Sequence, residues 1–219
     1  MLAVRWILTV VTGLLLDGGA QRAAERDLLG LSSAAAGDSL PPDWQVRPVR
    51  GARAPTSVVR VQGQGPLFSI SGQGQAAWYG RDLRSDPLSS HGTAILQFRT
   101  PILPLGADLT RTAQSDAALR LYFVFDAPRL GLRRPRTLFY SIGAVPRGPR
   151  TTVADRICDI RVAHADTSAW QQLSFAPASD AAAHCQWTVE RIQAVGIMQD
   201  TEQTGARAAV EIRTFRWRH

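Results

Sequence analysis

The sequence predicts an all-β protein, a jelly-roll-like β-sandwich of about ten antiparallel strands behind an N-terminal signal segment. Short apolar runs alternate with clusters of turn residues along most of the chain. The 219 residues include 13 Pro and 18 Gly, which suits a protein with many turns better than a helical bundle. The hydrophobic content of 45% is enough for a single domain to bury a core.

The first twenty residues are typical of a secretory signal peptide. Residues 1–5 are positively charged, 6–16 are apolar, and 18–20 offer small side chains to a signal peptidase. The apolar run of about eleven residues is shorter than the roughly twenty that span a bilayer. We therefore expect a periplasmic or secreted protein. The alternative is a segment that stays uncleaved and anchors the chain in a membrane.

Residues 21–39 are rich in Ala and Ser, and we expect them to form a flexible lead-in. A single sandwich domain is expected over 40–219, beginning with the sequence LPPDW at 40–44. Two prolines exclude a helix there, and Trp44 is expected to anchor the edge of the sandwich.

Eight runs within the domain have the alternation or the continuous apolar character of strands. They span residues 57–62, 66–71, 75–79, 93–98, 118–125, 136–142, 157–163 and 170–175. The run 118–125 is the clearest, because four apolar side chains face one way while Arg120, Tyr122 and Val124 face the other. Residues 181–193 are consistent with a short helix or an irregular crossing.

The closing segment 194–217 predicts a β-hairpin. An apolar run over 194–198 leads into a polar turn over 199–205, and a second extended run follows. In that second run the apolar side chains change face after position 212, which indicates a bulge near Arg213 or burial on both faces.

Cys158 and Cys185 are the two cysteines of the chain. In an exported protein an even number of cysteines favours a disulfide, and the alternative is two free buried thiols.

The net charge of +7 does not indicate a nucleic-acid partner. All 25 basic residues are Arg, they are spread along the chain, and no basic helix interleaved with aromatic residues is present. We therefore expect no nucleic-acid binding, and membrane contact only through an uncleaved signal segment.

No catalytic motif fits its required context, so enzymatic activity is left uncertain, with a non-catalytic role favoured. Gly37-Asp38-Ser39-Leu40 resembles the nucleophile block of an esterase and lipase superfamily, but no buried strand precedes it. The four histidines, none at metal-ligand spacing from another, are expected on surfaces or loops. They are His91, His164, His184 and His219.

The turn over 200–205 is the candidate metal site. Asp200 and Glu202 place two carboxylates at alternate positions, an arrangement of hard oxygen ligands that suits calcium, the only cofactor the sequence suggests. The alternative is a purely structural turn, because Asp and Thr side chains cap turns and Gly205 can adopt a positive φ.

A candidate binding surface surrounds the polar face of the clearest strand. Arg120 and Tyr122 on a concave face would suit a sugar or a carboxylate, and the alternative is an ordinary outer face of a sandwich. Asp116, Trp170 and Thr204 complete the candidate set.

Several segments together resemble a bacterial family known as the domain of unknown function numbered three thousand forty-seven. The resemblance covers about 40–215 and rests on five sequence stretches, LPPDW, PTSVVRV, ALRLYFVF, TLFYSIG and VGIMQDTEQTGARAAVEI. The last is similar to the family's closing motif, Ile-x-x-Met-x-Asp-x-Asp-x-Thr-Gly, although Glu202 and Gln203 depart from it. The resemblance implies an exported β-sandwich similar in layout to galactose-binding and carbohydrate-binding modules, and it implies no established activity.

The function expected from these observations is an exported, non-catalytic binding module for a glycan or a cell-envelope component. One alternative is a structural subunit that docks on a larger membrane or envelope complex. Another is a polysaccharide hydrolase, which needs two acids about 5–10 Å apart in one cleft.

Overall fold

The computed structural model describes residues 25–125, 135–143, 150–154, 156–163 and 169–219. The predicted signal segment and His164 lie outside these residues. The described residues fold into fourteen strands, two three-residue 3₁₀ helices and one nine-residue α-helix, α1, at Pro177–Cys185. The strands are β1 (Glu25–Asp27), β2 (Trp44–Pro48), β3 (Thr56–Gln62), β4 (Gly65–Gln73), β5 (Ala76–Asp82), β6 (Leu88–Ser89), β7 (Thr93–Ile102), β8 (Ala117–Phe125), β9 (Arg136–Gly143), β10 (Arg150–Ala154), β11 (Ile157–Ala163), β12 (Gln171–Phe175), β13 (Arg191–Asp200) and β14 (Arg207–Arg218).

The strands form two sheets that pack as a β-sandwich, which confirms the predicted fold class. The smaller sheet has the order β12-β7-β14-β4-β3, and β1 pairs with the far end of β14. The larger sheet has the order β10-β11-β9-β8-β13-β5-β2, and β6 pairs with the start of β13. The described strands exceed the expected ten, and β9 and β11 pair in parallel rather than antiparallel.

The closing segment is not a hairpin, which corrects the sequence prediction. β13 lies between β8 and β5 in the larger sheet, and β14 lies between β7 and β4 in the smaller sheet. The turn between them therefore carries the chain from one sheet to the other. The predicted bulge is present, because the register of β14 against β7 shifts between Ile212 and Thr214.

The core fills the space between the sheets. In β8 the four apolar side chains at alternate positions, Leu119, Leu121, Phe123 and Phe125, are fully buried. Phe123 packs edge-to-face against Phe215 of the opposite sheet, at 6.2 Å between ring centroids. Such contacts between the inner faces hold the sheets together through burial of apolar surface.

The first described residues of the expected lead-in pack against the sandwich. β1 pairs with β14, and Leu28 and Leu29 are fully buried in the core. The indole N–H of Trp44 donates to the carbonyl of Leu28 at 3.1 Å. Trp44 is buried at the start of β2, the edge strand of the larger sheet, where the sequence placed an anchor. The domain therefore includes part of the segment assigned to the lead-in.

A disulfide links Cys158 of β11 to Cys185 at the end of α1, as the sequence predicted. Both cysteines are buried. The helix is also held by Asp180, whose carboxylate accepts a hydrogen bond from the hydroxyl of Tyr140 in β9. Within the described residues, no helix has the length and apolar character needed to cross a bilayer.

Replacing Cys158 and Cys185 together by Ala should lower the free energy of unfolding by about 3–4 kcal/mol, because the open loop gains entropy in the unfolded chain. Chemical denaturation monitored by circular dichroism measures this change. A reductant should destabilise the native protein similarly and leave the double variant unchanged. A native protein whose midpoint does not move on complete reduction would contradict a stabilising role for the bridge.

Candidate functional site

The outer face of the larger sheet carries a groove of about 660 Å³. Trp78, Tyr122 and Ala194 of its lining point away from the core, since they are next in the chain to the buried Tyr79, Phe123 and Val195. The described lining consists of Gln45, Arg47, Pro48, Trp78, Gly80, Arg81, Asp82, Arg84, Tyr122, Val124, Pro135, Gln193 and Ala194. We call this feature the groove.

Trp78 and Tyr122 bring aromatic rings to the groove. Trp78 of β5 contacts Tyr122 and Phe139 at 5.2 and 5.3 Å between ring centroids. Tyr122, Phe139 and Met198 are nearly covered, whereas Trp78 is half-buried. Trp78 therefore offers the exposed aromatic surface, and the other side chains support it from below.

Two glycines make room for Tyr122. Gly80 of β5 and Gly196 of β13 are opposite each other in the register, and Gly196 is also opposite Tyr122. A Cβ at Gly80 would lie 2.0 Å from the Tyr122 hydroxyl, and one at Gly196 would lie 2.5 Å from it. The Tyr122 ring therefore lies across both strands, and its hydroxyl donates to the carbonyl of Tyr79 at 3.3 Å. Burial raises the pKa of Tyr122 above its ordinary value, so the hydroxyl stays protonated.

Arginines dominate the charge of the groove. Arg84 binds both carboxylate oxygens of Asp82 through its Nε, at 3.0 and 2.9 Å, and this contact lowers the pKa of Asp82. Arg81 pairs with Asp43 at 3.1 Å. Arg47 has no acidic partner among the described residues, and its side chain contacts the amide oxygen of Gln45 at 3.5 Å.

A second polar group lies beside the groove on the same face, which we call the Arg120 cluster (Arg120, Ser141, Asp159 and Asp200). Arg120 donates to the Ser141 hydroxyl at 2.6 Å and lies 3.5 and 3.6 Å from the carboxylates of Asp159 and Asp200. It also donates to the carbonyl of Ser115. Arg120 and Asp200 are nearly covered, at 9% and 5% exposure, so the cluster is an interior ion-pair network rather than an open site.

Asp200 is a member of the Arg120 cluster, and its pKa is shifted. Burial raises the pKa of its carboxyl to about 6, since the charged form loses hydration that the Arg120 guanidinium only partly replaces. The neighbouring carboxylates of Asp116 and Glu202 act in the same direction as burial. One oxygen of Asp200 has no hydrogen-bond partner in the described structure.

The turn after Asp200 is held by Asp116. Its carboxylate accepts hydrogen bonds from the backbone N–H groups of Gln203 and Thr204, at 3.0 and 2.8 Å, and from the Thr204 hydroxyl. Glu202 is exposed and does not join Asp200 on Arg120. No group of three or more acidic, His or Cys side chains within the described residues is placed to hold a metal ion. The hydrogen bonds to Asp116 give the turn a structural role, and a calcium site at Asp200 and Glu202 stays a prediction.

The structure separates the predicted binding residues into three places. Tyr122 lines the groove, whereas Arg120 lies in the neighbouring cluster and Asp116 and Thr204 bind each other at the turn. Trp170 lies over the smaller sheet, with the Arg213 guanidinium 3.9 Å from its ring centroid. The predicted set is therefore not one surface, and Trp170 does not belong with the others.

Sequence reasoning missed Trp78, Arg47 and the paired glycines. Gly196 lies inside the apolar run over 194–198 and Gly80 directly follows the run over 75–79, and a glycine within a strand often marks close approach of another group. That signal could have pointed to the groove. The described histidines, His91, His184 and His219, are exposed and take no part in it.

Comparison with known proteins finds no family and only distant likenesses to solved structures. No family model and no curated protein matches the chain. A mutant of ENZbleach xylanase is similar over 90% of this chain and 88% of its own, with 9% identity and a TM-score of 0.49. A cellulase derived from Cel12A of Rhodothermus marinus covers 89% of this chain and 95% of its own, with 9% identity and a TM-score of 0.48.

The family 11 carbohydrate-binding module of Lic26A-Cel5E from Clostridium thermocellum gives a similar result. It covers 89% of this chain and 94% of its own, with 7% identity and a TM-score of 0.46. Likenesses this distant carry no argument about activity or ligand.

The raised pKa of Asp200 predicts that the free energy of unfolding depends on pH. Between about pH 4 and 6 the unfolded chain loses this proton before the folded protein does, so stability falls as pH rises and then levels off above about pH 6. Because Asn resembles the protonated acid, the stability of the native protein relative to Asp200→Asn should fall by on the order of 3 kcal/mol across this range. Urea denaturation at several pH values measures it. A constant difference, or one that grows with pH, would contradict the assignment.

Gly80→Ala should destabilise the protein by about 1–3 kcal/mol, because the added methyl group meets the Tyr122 hydroxyl. In a Tyr122→Phe background the same change should cost less, since the nearest remaining ring atom lies 3.2 Å away. Denaturation of the four proteins in this cycle gives the coupling energy. Gly143→Ala is the control, because its nearest neighbour would lie at an ordinary 3.4 Å. Additive costs would show that Tyr122 does not rest on Gly80.

Proposed function

We propose that this chain is a non-catalytic glycan-binding module that binds its ligand in the groove. The observation that carries the proposal is the half-buried ring of Trp78, set in a groove whose lining also includes charged and amide side chains. Sugar rings present apolar C–H faces and polar edges. A sugar can therefore stack on Trp78 and form hydrogen bonds with the charged and amide side chains of the groove.

The size and composition of the groove support a small section of a glycan. Its volume of about 660 Å³ lies within the range of ordinary ligand sites. Gln45 and Gln193 bring amide groups to the lining, and Trp78 brings a rigid ring that loses little conformational entropy on binding. The ring supports of Tyr122 and Phe139 hold Trp78 in place before a ligand arrives.

The distribution of acids favours binding over hydrolysis. Glycoside hydrolysis uses two carboxyl groups in one cleft, one of which needs a raised pKa to act as the acid. Asp82 is the only acidic residue in the described lining of the groove, and Arg84 lowers its pKa. Asp200 has a raised pKa, but it is buried against Arg120 outside the groove lining.

A role as a docking subunit is less well supported. The large apolar side chains that the described residues expose are Val46, Val61, Leu105 and Ile157. They lie on different strands and a loop rather than in one patch, whereas docking surfaces are typically contiguous.

We also propose export and membership of the family that the closing motif resembles. The N-terminal sequence supports export, and the disulfide is compatible with an oxidising compartment. Within the closing motif, Thr204 binds Asp116 and Gly205 adopts a φ of 66°, so two of its motif residues have structural roles here.

Trp78→Ala should weaken glycan binding about tenfold or more, because the exposed ring is the main apolar contact of the proposed site. Isothermal titration calorimetry of the mature protein with soluble neutral and acidic polysaccharides measures the loss. Trp170→Ala is the matched control, since it removes a tryptophan of similar exposure from the smaller sheet. Loss of binding with Trp170→Ala but not with Trp78→Ala would move the site to the other face. No binding to any glycan of either class would overturn the proposed function.

A further inference from the structure

We infer that the groove selects a carboxylate-bearing saccharide, a uronate unit of a polysaccharide, and that Arg47 binds its carboxylate. This inference rests on the proposed function and specifies the class of ligand for the same site.

The first argument is the balance of charge along the groove. The described lining contains three arginines and one acid. Arg84 is taken up by Asp82, with contacts to both carboxylate oxygens. Arg81 pairs with Asp43 at 3.1 Å and donates to the backbone carbonyls of Asp27 and Leu28 at 3.3 Å. Arg47 is left as the guanidinium that has no carboxylate within ion-pair distance among the described residues.

The second argument is the position of Arg47. It lies on β2 directly opposite Trp78 in the register, so it borders the exposed aromatic surface. Its positive charge also acts on two other groove residues. It lowers the pKa of Asp82, although less than Arg84 does, and it partly opposes the effect of burial on Tyr122. A carboxylate on a sugar ring resting against Trp78 would therefore lie within reach of Arg47.

The third argument is chemical fit. A guanidinium presents a planar set of N–H donors that matches both oxygens of a carboxylate, and such charge-assisted bonds are about twice as strong as neutral ones. A neutral hexose offers a hydroxymethyl group where a uronate offers a carboxylate. That hydroxyl can accept one of these hydrogen bonds but cannot balance the charge. The groove should therefore distinguish the two at this one position.

The test compares each uronate polymer with its own carboxyl-reduced form, which keeps the linkages and removes the charge. The probes are alginate, polygalacturonate and a glucuronan. The proteins are the native mature chain, Arg47→Gln and Arg60→Gln. Arg60 is exposed on β3 of the smaller sheet, so its replacement removes the same charge far from the groove. Both positions are exposed, and thermal melting checks that each variant folds as the native protein does.

We expect at least one uronate polymer to bind about tenfold or more tightly than its reduced form. Arg47→Gln should remove that preference by weakening binding of the uronate form much more than binding of the reduced form, and Arg60→Gln should keep the preference. Raising the salt concentration should narrow the preference in the native protein, because the groove is open to solvent.

Equal binding of both forms, or an equal loss in the two arginine variants, would overturn the inference. The first result would leave a neutral glycan as the ligand. The second would make any preference a general effect of the net charge of +7. In both cases sensitivity to Trp78→Ala would leave the proposed function standing, whereas failure of every polymer to bind would remove the function and the inference together.

Discussion

One buried carboxylate holds the connection on which both sheets depend. Asp116 binds the turn at Gln203 and Thr204, and that turn passes the chain from β13 to β14. These two strands occupy interior positions in different sheets, and β8, which follows Asp116 directly, is the neighbour of β13. Burying an unpaired carboxylate is costly, so its three hydrogen-bond donors are what allow Asp116 to be 1% exposed. The turn is thus fixed to the larger sheet at the point where the chain leaves it.

Alternation and continuous apolar runs predicted most of the strands, because the long strands bury one face or both. Which strands pair with each other was harder to predict from the sequence. A polar turn with Gly205 at positive φ serves equally well in a hairpin and in a connection between sheets. β13 is buried almost continuously from Val195 to Asp200, so both of its faces are covered, and the unbroken apolar run over 194–198 was the sequence signal for this. β1 and β2 were missed because the three residues of the first are all charged and four of the five residues of the second are exposed.

The sequence did not show that the predicted site residues lie in different places, for a related reason. Arg120 and Tyr122 do share a face of β8. The sequence could not reveal that Arg120 would pair with Asp159 and Asp200. Nor could it reveal that glycines on neighbouring strands would make room for Tyr122. A pair of charges separated by 80 residues becomes an interior network only through strand register. The groove depends on register too, because Gly80 and Gly196 open space for Tyr122 only when they are opposite each other.

The two half-buried tryptophans show why exposure alone does not identify a binding surface. The ring of Trp170 carries the Arg213 guanidinium at 3.9 Å and the Arg99 guanidinium at 5.0 Å, so cation–π contacts already occupy it. Arg99 is in turn bound by Glu211 at 2.6 Å, which holds that arrangement on the smaller sheet. Trp78 instead contacts the rings of Tyr122 and Phe139 on its supported side. The neighbouring cation Arg47 has no acidic partner among the described residues, and this combination of an available ring and an unbalanced charge is what a ligand can use.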